Sequence, residues 1–226
     1  STTLLSFLPS IYSQSACHSN TAFYATPSGS TNCNDWESGN SYATSTFAFK
    51  NAVQIYTCPT SNLRIIRSNG IPDHDVEVNN PSTACEIPWQ VNLPLNPTYV
   101  STTIEPATLG IVAMAKNGVP IYGANEGGGT NAVEPGAGAS ITDAQHWYGH
   151  AARSGDWHYH APEVGNDAHL SETELYGYAL DGFPIYGPLA DDSGLDVCNG
   201  RNNPLTNEYQ YHVRTKTQVD ESLNFC

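Results

Sequence analysis

A four-residue pattern, Asn/Asp-Gly-apolar-Pro, occurs three times and constrains the fold more than any other feature of the sequence. The copies lie at 69–72, 117–120 and 181–184, and each follows a short stretch typical of a β-strand. Asn-Gly and Asp-Gly provide the two positive-φ positions of a type I′ turn, so each copy predicts a β-hairpin. Because proline cannot donate a hydrogen bond to a neighbouring strand, we expect each return strand to lie at a sheet edge or to leave the sheet early.

Most of the remaining structure is also predicted to be β, from alternation and from β-branched and aromatic content. The stretches with this pattern are 46–58, 62–68, 87–97, 156–160 and 208–219. A helix is predicted over 140–153, where Ser140 and Asp143 resemble a capping box. The expected fold class is mainly β, with antiparallel, sandwich-like sheets built from the repeated hairpins, one or two short helices and disulfide bonds.

The start of the chain differs in composition from the rest, which predicts two parts. Residues 1–45 would form an N-terminal extension, with an apolar leader and a polar loop bracketed by Cys17 and Cys33, and residues 46–226 would form a single β domain. The leader is interpreted as an edge strand of its own domain. The alternative is a strand donated to a neighbouring protomer, which would make the chain a subunit of an extracellular fibre or matrix.

Charge and hydropathy exclude several classes of partner. The net charge is −14 with only eight Lys and Arg residues, which disfavours nucleic acid and anionic membrane surfaces. No run of about 20 apolar residues occurs, so no membrane span is expected. Only 13% of the residues are charged, about half the usual fraction, and a surface of uncharged polar residues is typical of an extracellular protein.

The cysteines support the same interpretation. They are even in number, dispersed and without a Cys-x-x-Cys pair, which predicts disulfides in an oxidising compartment rather than a zinc ribbon. The six are Cys17, Cys33, Cys58, Cys85, Cys198 and Cys226. Fifteen pairings are possible, and the expected one is sequential, because 17–33, 58–85 and 198–226 close short loops. We therefore expect a secreted or cell-surface protein.

A histidine-rich segment at 144–160 predicts a transition-metal site. Imidazole is the commonest side-chain ligand for such metals, and this segment holds four of the eight histidines. His158 and His160 are two apart on a predicted strand, so both would point to the same face. His146 and His150 are four apart on the predicted helix, and of these His150 is the better candidate. The alternative is a set of hydrogen-bonded histidines without a metal.

Two other histidines are candidates to complete the site. His212 would reach it if its strand pairs with that of His158. His74 follows the first turn, where Asp73 or Asp75 could orient a ligating imidazole. Neutral imidazoles suit Zn²⁺ or Cu²⁺.

Other chemistry finds little support. The sequence has no Gly-x-Ser-x-Gly elbow, no His-Glu-x-x-His motif and no dinucleotide fingerprint, so no nucleotide or organic cofactor is expected. If the metal keeps an open coordination position, a hydrolase or an oxidoreductase is possible. Whether the protein is an enzyme stays open, and exposed Tyr and Trp side chains leave a glycan- or small-molecule-binding module as a further alternative.

Several motifs resemble, in the same order, those of the YHYH domain family. They lie at 69–75, 149–150 with 155–160, 177–188, 195–200 and 209–212. The resemblance implies a secreted or surface protein and a fold rather than a defined activity. The chain departs from the family pattern at Gln210, which removes a possible ligand, and at Arg201, which stands where a histidine is expected. A metal site spread over all these motifs would therefore be reduced here.

Overall fold

The computed structural model describes residues 51–74, 84, 86–100, 109–123, 125–129, 132, 149–152, 155–160, 170–191 and 194–213. Within these ranges the chain forms eleven strands and a short 3₁₀ turn at Pro59–Ser61. The strands are β1 Val53–Cys58, β2 Leu63–Ser68, β3 Trp89–Pro94, β4 Ile111–Ala115, β5 Pro120–Tyr122, β6 Gly149–Ala151, β7 Trp157–Tyr159, β8 Leu175–Ala179, β9 Pro184–Tyr186, β10 Gly200–Asn202 and β11 Tyr209–His212. The fold is mainly β, as predicted. None of the described helices is long and apolar enough to cross a membrane.

The strands belong to two sheets. The smaller sheet is antiparallel, with the order β1-β2-β3, and the larger has eight strands in the order β10-β11-β9-β8-β4-β5-β7-β6. The larger sheet is mixed, because β5 pairs with β7 and β9 pairs with β11 in parallel, whereas its other pairs are antiparallel. The prediction of antiparallel sheets is therefore confirmed for the smaller sheet and only in part for the larger one.

The second and third copies of the repeated tetrapeptide form hairpins, but the turn type differs from the prediction. Ala115 N–H donates to the Val119 carbonyl and Gly118 N–H to the Ala115 carbonyl, so the loop has three residues. Only its glycine has a positive φ, +84°. This is a type I turn followed by a left-handed residue. The Asn117 side chain accepts a hydrogen bond from the Val119 N–H (3.2 Å), which explains why the pattern begins with Asn or Asp.

The return strands β5 and β9 are short but do not lie at sheet edges. Each begins at its proline and has three residues. Proline is tolerated at the first position of a strand, and the following residues pair with parallel β7 and β11. The predicted edge position is therefore wrong, and the edge strands are β6 and β10.

The larger sheet has two different faces. One face, here called the core face, packs an apolar cluster that includes Ala113, Ile121, Tyr159 and Ile185. The opposite face, here called the site face, is covered at its centre by the smaller sheet. Ile66 and Val91 of the smaller sheet form an apolar cluster with Met114 of the central strand β4. The flanks of the site face carry polar side chains.

The predicted helix is not formed in the part of its range that the structure describes. Residues 149–151 are strand β6, paired with β7, so the helix prediction over 140–153 is wrong at this end. Gly149 explains the result, because a Cβ here would lie 2.7 Å from the His158 carbonyl oxygen. Glycine therefore allows the close approach of the two strands.

Other predictions lie partly or wholly outside the described residues. These include the N-terminal extension 1–45, its boundary with the β domain, His146 and Asp75. Cys58 and Cys198 are buried, and neither is a free thiol. Their expected partners, Cys85 and Cys226, are outside the described ranges, so the disulfide pairing stays a prediction.

Candidate metal centre

Strands β6 and β7 bring three histidines together at one end of the site face. His150 lies directly opposite His158 in the antiparallel register, and directly paired residues share a face. His160 follows His158 by two positions and points the same way. The prediction placed His150 here through a helix, but the structure places it here through an edge strand.

The three imidazoles converge through their Nε2 atoms. The Nε2 of His160 lies 3.1 Å from that of His158 and 3.2 Å from that of His150. One ligand atom from each of the three lies within 4.8 Å of the others. For an ion with four tetrahedral bonds of about 2.05 Å, two ligand nitrogens would be about 3.3 Å apart. The cluster therefore has the right dimensions for one ion.

Backbone carbonyls fix the protonation of two of the rings. The Nδ1–H of His160 donates to the Gly123 carbonyl (2.8 Å) and that of His158 to the Asp156 carbonyl (3.1 Å). A carbonyl oxygen can only accept, so Nδ1 carries the proton in both neutral rings. Both Nε2 atoms then present lone pairs, which is the form that binds a metal.

Burial keeps all three histidines neutral. His158 and His160 are 3% and 2% exposed. Burial lowers the pKa of His150 to about 4, with a further lowering from His160 and an opposing effect of Asp156. Burial, and then repulsion by the other two imidazoles, lowers the pKa of His158 well below its usual value. Burial also lowers the pKa of His160, against its hydrogen bond to Gly123. Each ring is therefore available as a ligand at neutral pH.

Two residues next to the cluster escaped the sequence-based prediction. Tyr122 stacks on His158, with ring centroids 3.9 Å apart, and its hydroxyl donates to the Asp156 carboxylate (2.8 Å). Asp156 is 8% exposed, and one carboxylate oxygen lies 3.9 Å from His158 Nδ1. This pair fixes the orientation of the His158 ring, as partners of metal-binding histidines do. The sequence feature that could have pointed to Tyr122 is the tripeptide Ile-Tyr-Gly, which follows both Pro120 and Pro184.

His74 lies away from the three-histidine cluster. Its Nε2 is 2.6 Å from the Tyr159 hydroxyl, and Tyr159 belongs to the core face, opposite His158. Asp73 accepts a hydrogen bond from the Asn117 side chain (2.8 Å).

His212 also lies elsewhere. Four strands separate β11 from β7, so the strand pairing that would have brought His212 to His158 does not occur. Its Nε2 is 3.2 Å from Arg201 Nε and 2.7 Å from Gln210 Nε2. Of the five predicted ligands, the structure brings together His150, His158 and His160.

The cluster is suited to hold an ion such as Zn²⁺ or Cu²⁺. Three neutral imidazole nitrogens with no thiolate among them form a donor set found in catalytic zinc sites, in which a fourth position binds water or substrate. A purely structural zinc site would normally have four protein ligands, and among the described residues no fourth His, Cys, Asp or Glu joins the group.

A comparison with protein-family models gives a match to the family described as YHYH protein, over residues 90–213. The match spans all eight strands of the larger sheet and the three histidines. Comparison with the curated proteins and with the solved structures gives no match.

Proposed function

This chain belongs to the YHYH protein family, and from the chemistry of its histidine cluster we propose that it is an extracellular metal-binding protein. In this proposal His150, His158 and His160 hold one Zn²⁺ or Cu²⁺ ion per chain. The three residues are those whose ligand atoms already converge in the structure.

The observation that carries the proposal is the pair of facing lone pairs on His158 and His160. Their Nε2 atoms are 3.1 Å apart, and the carbonyls of Asp156 and Gly123 take the Nδ1 protons. Neither Nε2 can donate to the other, so the contact is repulsive unless a cation lies beside both. While both rings are neutral, the simple alternative of mutually hydrogen-bonded histidines does not account for this pair, which supports the proposal.

A proton on His150 is the competing way to satisfy the cluster. Its Nε2 can donate to His160 if that nitrogen carries the hydrogen, but a single hydrogen cannot satisfy the facing lone pair of His158 as well. A metal ion satisfies all three nitrogens at once, at spacings close to those of a tetrahedral site.

The chain's own residues account for the geometry of the site. Gly123 and Asp156 hold two imidazoles in the ligating tautomer, and Tyr122 packs against one of them. When bound with an open position, an ion of this kind lowers the pKa of a coordinated water or polarises a substrate oxygen. Hydrolytic chemistry on that position is the enzymatic form of the proposal, and oxidative chemistry would require copper.

Secretion is supported by composition and by the cysteines. The surface is poor in charge, with 13% charged residues in the chain. Cys58 and Cys198 are buried without being free thiols, which fits pairs 58–85 and 198–226 formed in an oxidising compartment. Peptide mapping under non-reducing conditions should recover both pairs.

The test is metal analysis of the chain purified without a histidine tag. The protein is dialysed against Zn²⁺ or Cu²⁺, then against buffer, and the bound ion is measured by elemental analysis. We expect about one ion per chain, and fewer than about 0.2 would refute the proposal. His74→Ala serves as the matched control, because this histidine lies on the opposite face, next to Tyr159, and the variant should bind as much metal as the wild type.

A glycan-binding role is the second candidate, and a groove lined by residues of β8–β11 and of the segment after β3 favours it. The groove has a volume of about 1260 Å³ and is lined by aromatic rings, among them Tyr99, Tyr186 and Tyr209. Tyr99 is 56% exposed and packs on Tyr209 at a centroid distance of 4.8 Å. Exposed ring faces beside polar groups suit sugar rings. Tyr99→Ala should abolish any binding of soluble oligosaccharides measured by calorimetry, and the absence of wild-type binding would refute this role.

Self-association through the apolar leader remains a proposal about residues that the structure does not describe. Deleting residues 1–13 and measuring the mass by light scattering tests it, since a monomer before and after the deletion would count against a fibre subunit.

A further inference from the structure

The larger sheet is built from two equivalent halves. In chain order, β4, β5, β6 and β7 are followed by β8, β9, β10 and β11, and in the sheet the order is the same when counted outward from the centre on either side. Each half consists of a hairpin, a parallel third strand and an antiparallel edge strand. The sheet therefore has an approximate two-fold axis between β4 and β8.

The register at the centre has the same symmetry. Met114 pairs with Tyr178, while Ala113 pairs with Ala179 and Ala115 with Gly177. The backbone hydrogen bonds beyond the pairing are matched too, because Lys116 N–H donates to Tyr176 and Leu180 N–H donates to Val112. The agreement includes the turns, Asn117-Gly-Val-Pro and Asp181-Gly-Phe-Pro.

The symmetry relates the histidine cluster to a second set of side chains. Arg201 lies opposite Gln210 in β10 and β11, as His150 lies opposite His158 in β6 and β7. His212 follows Gln210 by two positions and thus corresponds to His160.

The buried histidines at the corresponding positions, His160 and His212, are both held by a hydrogen bond to a glycine carbonyl. The Nδ1–H of His212 donates to the Gly187 carbonyl at 2.8 Å, and that of His160 donates to the Gly123 carbonyl, also at 2.8 Å. Both glycines follow a Pro-Ile-Tyr return strand. The local structure that exposes a lone pair on Nε2 is therefore present twice.

The two halves differ in the side chains that face the Nε2 lone pair of this histidine. In the second half, Arg201 Nε lies 3.2 Å and Gln210 Nε2 lies 2.7 Å from His212 Nε2. Both groups donate, and one of them belongs to a permanent cation. In the first half the same positions hold two further imidazoles, which bring lone pairs rather than hydrogens.

We infer that the second half carries a copy of the metal centre in which the guanidinium of Arg201 takes the place of the ion, and that Arg201→His with Gln210→His is enough to open it to Zn²⁺. The inference rests on the proposed function for its comparison with the first half. The backbone register and the anchored His212 are already in place, so only the two side chains that close the site need to change.

The opened site should bind Zn²⁺ more weakly than the native one. Asp156, which is buried and receives the Tyr122 hydroxyl, corresponds to the exposed Glu208 in the second half. The ring contact is kept, because Tyr186 lies 6.2 Å from His212 and the equivalent pair, Tyr122 and His160, is 6.3 Å apart, but the stacking of Tyr122 on His158 has no second imidazole to match it at Gln210. Loss of such supporting contacts costs about 10–100-fold in metal affinity.

The experiment compares Zn²⁺ content in four full-length chains. They are the wild type, Arg201→His/Gln210→His, the same pair in a His158→Asn/His160→Asn background, and Arg201→Gln, which removes the cation without adding a ligand. Each is titrated with Zn²⁺ in competition with a chromophoric chelator. Urea unfolding followed by circular dichroism confirms that each variant is folded. Co²⁺ absorbance gives a second readout, because its visible bands report the ligand geometry.

We expect about one ion for the wild type and for Arg201→Gln, about two for Arg201→His/Gln210→His, and about one, bound more weakly, for the pair in the background without native ligands.

Two ions in the double variant support the inference. One ion in both the wild type and the folded double variant overturns it and leaves the proposed function standing. No ion in the wild type but one in the double variant supports the duplicated site and refutes the native metal centre, and no ion in either overturns both. If the double variant does not fold, Arg201→Cys/Gln210→His, which also gives three ligands with His212, replaces it, and failure of that folded variant to bind Co²⁺ at the new position overturns the inference.

Discussion

Replacing His160 and His212 by asparagine separates a metal ligand from a buried structural histidine. Both are nearly inaccessible, at 2% and 0% exposure, and both donate from Nδ1 to a glycine carbonyl. The asparagine amide can reach the same carbonyl, so each substitution keeps that hydrogen bond and removes Nε2. The two variants are therefore matched in everything except what Nε2 contacts.

The expected costs for the metal-free protein follow from the contacts of Nε2. His212→Asn leaves the donors of Arg201 and Gln210 without their acceptor, which should cost about 2–4 kcal/mol. His160→Asn removes at most one hydrogen bond, from His150, and also removes a lone pair that faces His158, so we expect about 1 kcal/mol. When metal is present, His160→Asn also loses the stabilisation by the ion, so its cost rises to about that of His212→Asn.

Zinc should stabilise only the chain that keeps its three ligands. At a free concentration of about 100 times the dissociation constant, a bound ion adds about 2.7 kcal/mol to the free energy of unfolding. We expect this gain for the wild type and for His212→Asn, and its loss for His160→Asn. The assay is urea unfolding followed by tryptophan fluorescence, with Zn²⁺ and with excess chelator.

Two results would refute the reasoning. The metal centre is wrong if zinc stabilises His160→Asn as much as the wild type, or if it stabilises none of the three chains. The account of the second half is wrong if, with chelator present, His212→Asn is as stable as the wild type, because the two donors would then have had no need of their acceptor.

Three further predictions concern the surroundings of the histidines. Burial, reinforced by His160, lowers the pKa of His150 to about 4, so below about pH 6.5 the unfolded chain binds a proton that the folded, metal-free protein does not. His150 alone should then lower the free energy of unfolding by about 3 kcal/mol between pH 6.5 and 4, so His150→Asn should show a smaller total fall than the wild type; equal slopes in urea titrations would contradict this. Tyr122→Phe, which loses the hydrogen bond to Asp156, should weaken Zn²⁺ binding about 10-fold in chelator competition, and unchanged binding would count against a supporting role. Gly149→Ala would place a Cβ 2.7 Å from a carbonyl oxygen of β7, so both the urea midpoint and the Zn²⁺ affinity should drop, and a wild-type affinity would show that β6 does not need this close approach.

Strand positions could be predicted from the sequence, but strand order could not. Alternation located β1, β2, β3, β7 and β11, because the side-chain period of a strand is a local property. The order of the larger sheet depends on pairs between residues far apart in the chain, such as Ile121 with Tyr159 and Ile185 with Tyr211. Of the two outcomes expected after the prolines, the short return strand is observed, but the edge position is wrong, because it could not include a parallel neighbour on the outer side.

The helix was predicted from local sequence signals alone, and these carry no information about the pairing of β6 with β7. The prediction was wrong for this reason. Ser140 and Asp143 suggested a cap, and Gly149 counted as a weakness of the helix. In the structure this glycine is what allows β6 to approach β7. His150 was therefore predicted as a ligand from the wrong secondary structure.

The candidate site could be predicted to the extent that it is local. His158 and His160 share a strand, and their spacing alone placed them on one face. Asp156 and Tyr122 could not be assigned, because Tyr122 reaches His158 through the parallel pairing of β5 and β7. The same dependence misplaced His212, whose strand lies in the other half of the sheet.

The two halves also indicate a structural reason for a cation beside each edge strand, the Arg201 guanidinium at β10 and the proposed metal ion at β6. The edge strands β6 and β10 have three residues each, and such short strands hold a sheet edge weakly by backbone pairing alone. In the second half, the Arg201 side chain joins β10 to His212 of β11. In the proposed metal-bound form, the ion joins His150 of β6 to His158 and His160 of β7 in the same way. A guanidinium has no coordination position to offer a substrate, whereas an ion with three ligands does. In this proposal a cation therefore meets the structural requirement in both halves, and only the ion of the first half would add a position at which chemistry could occur.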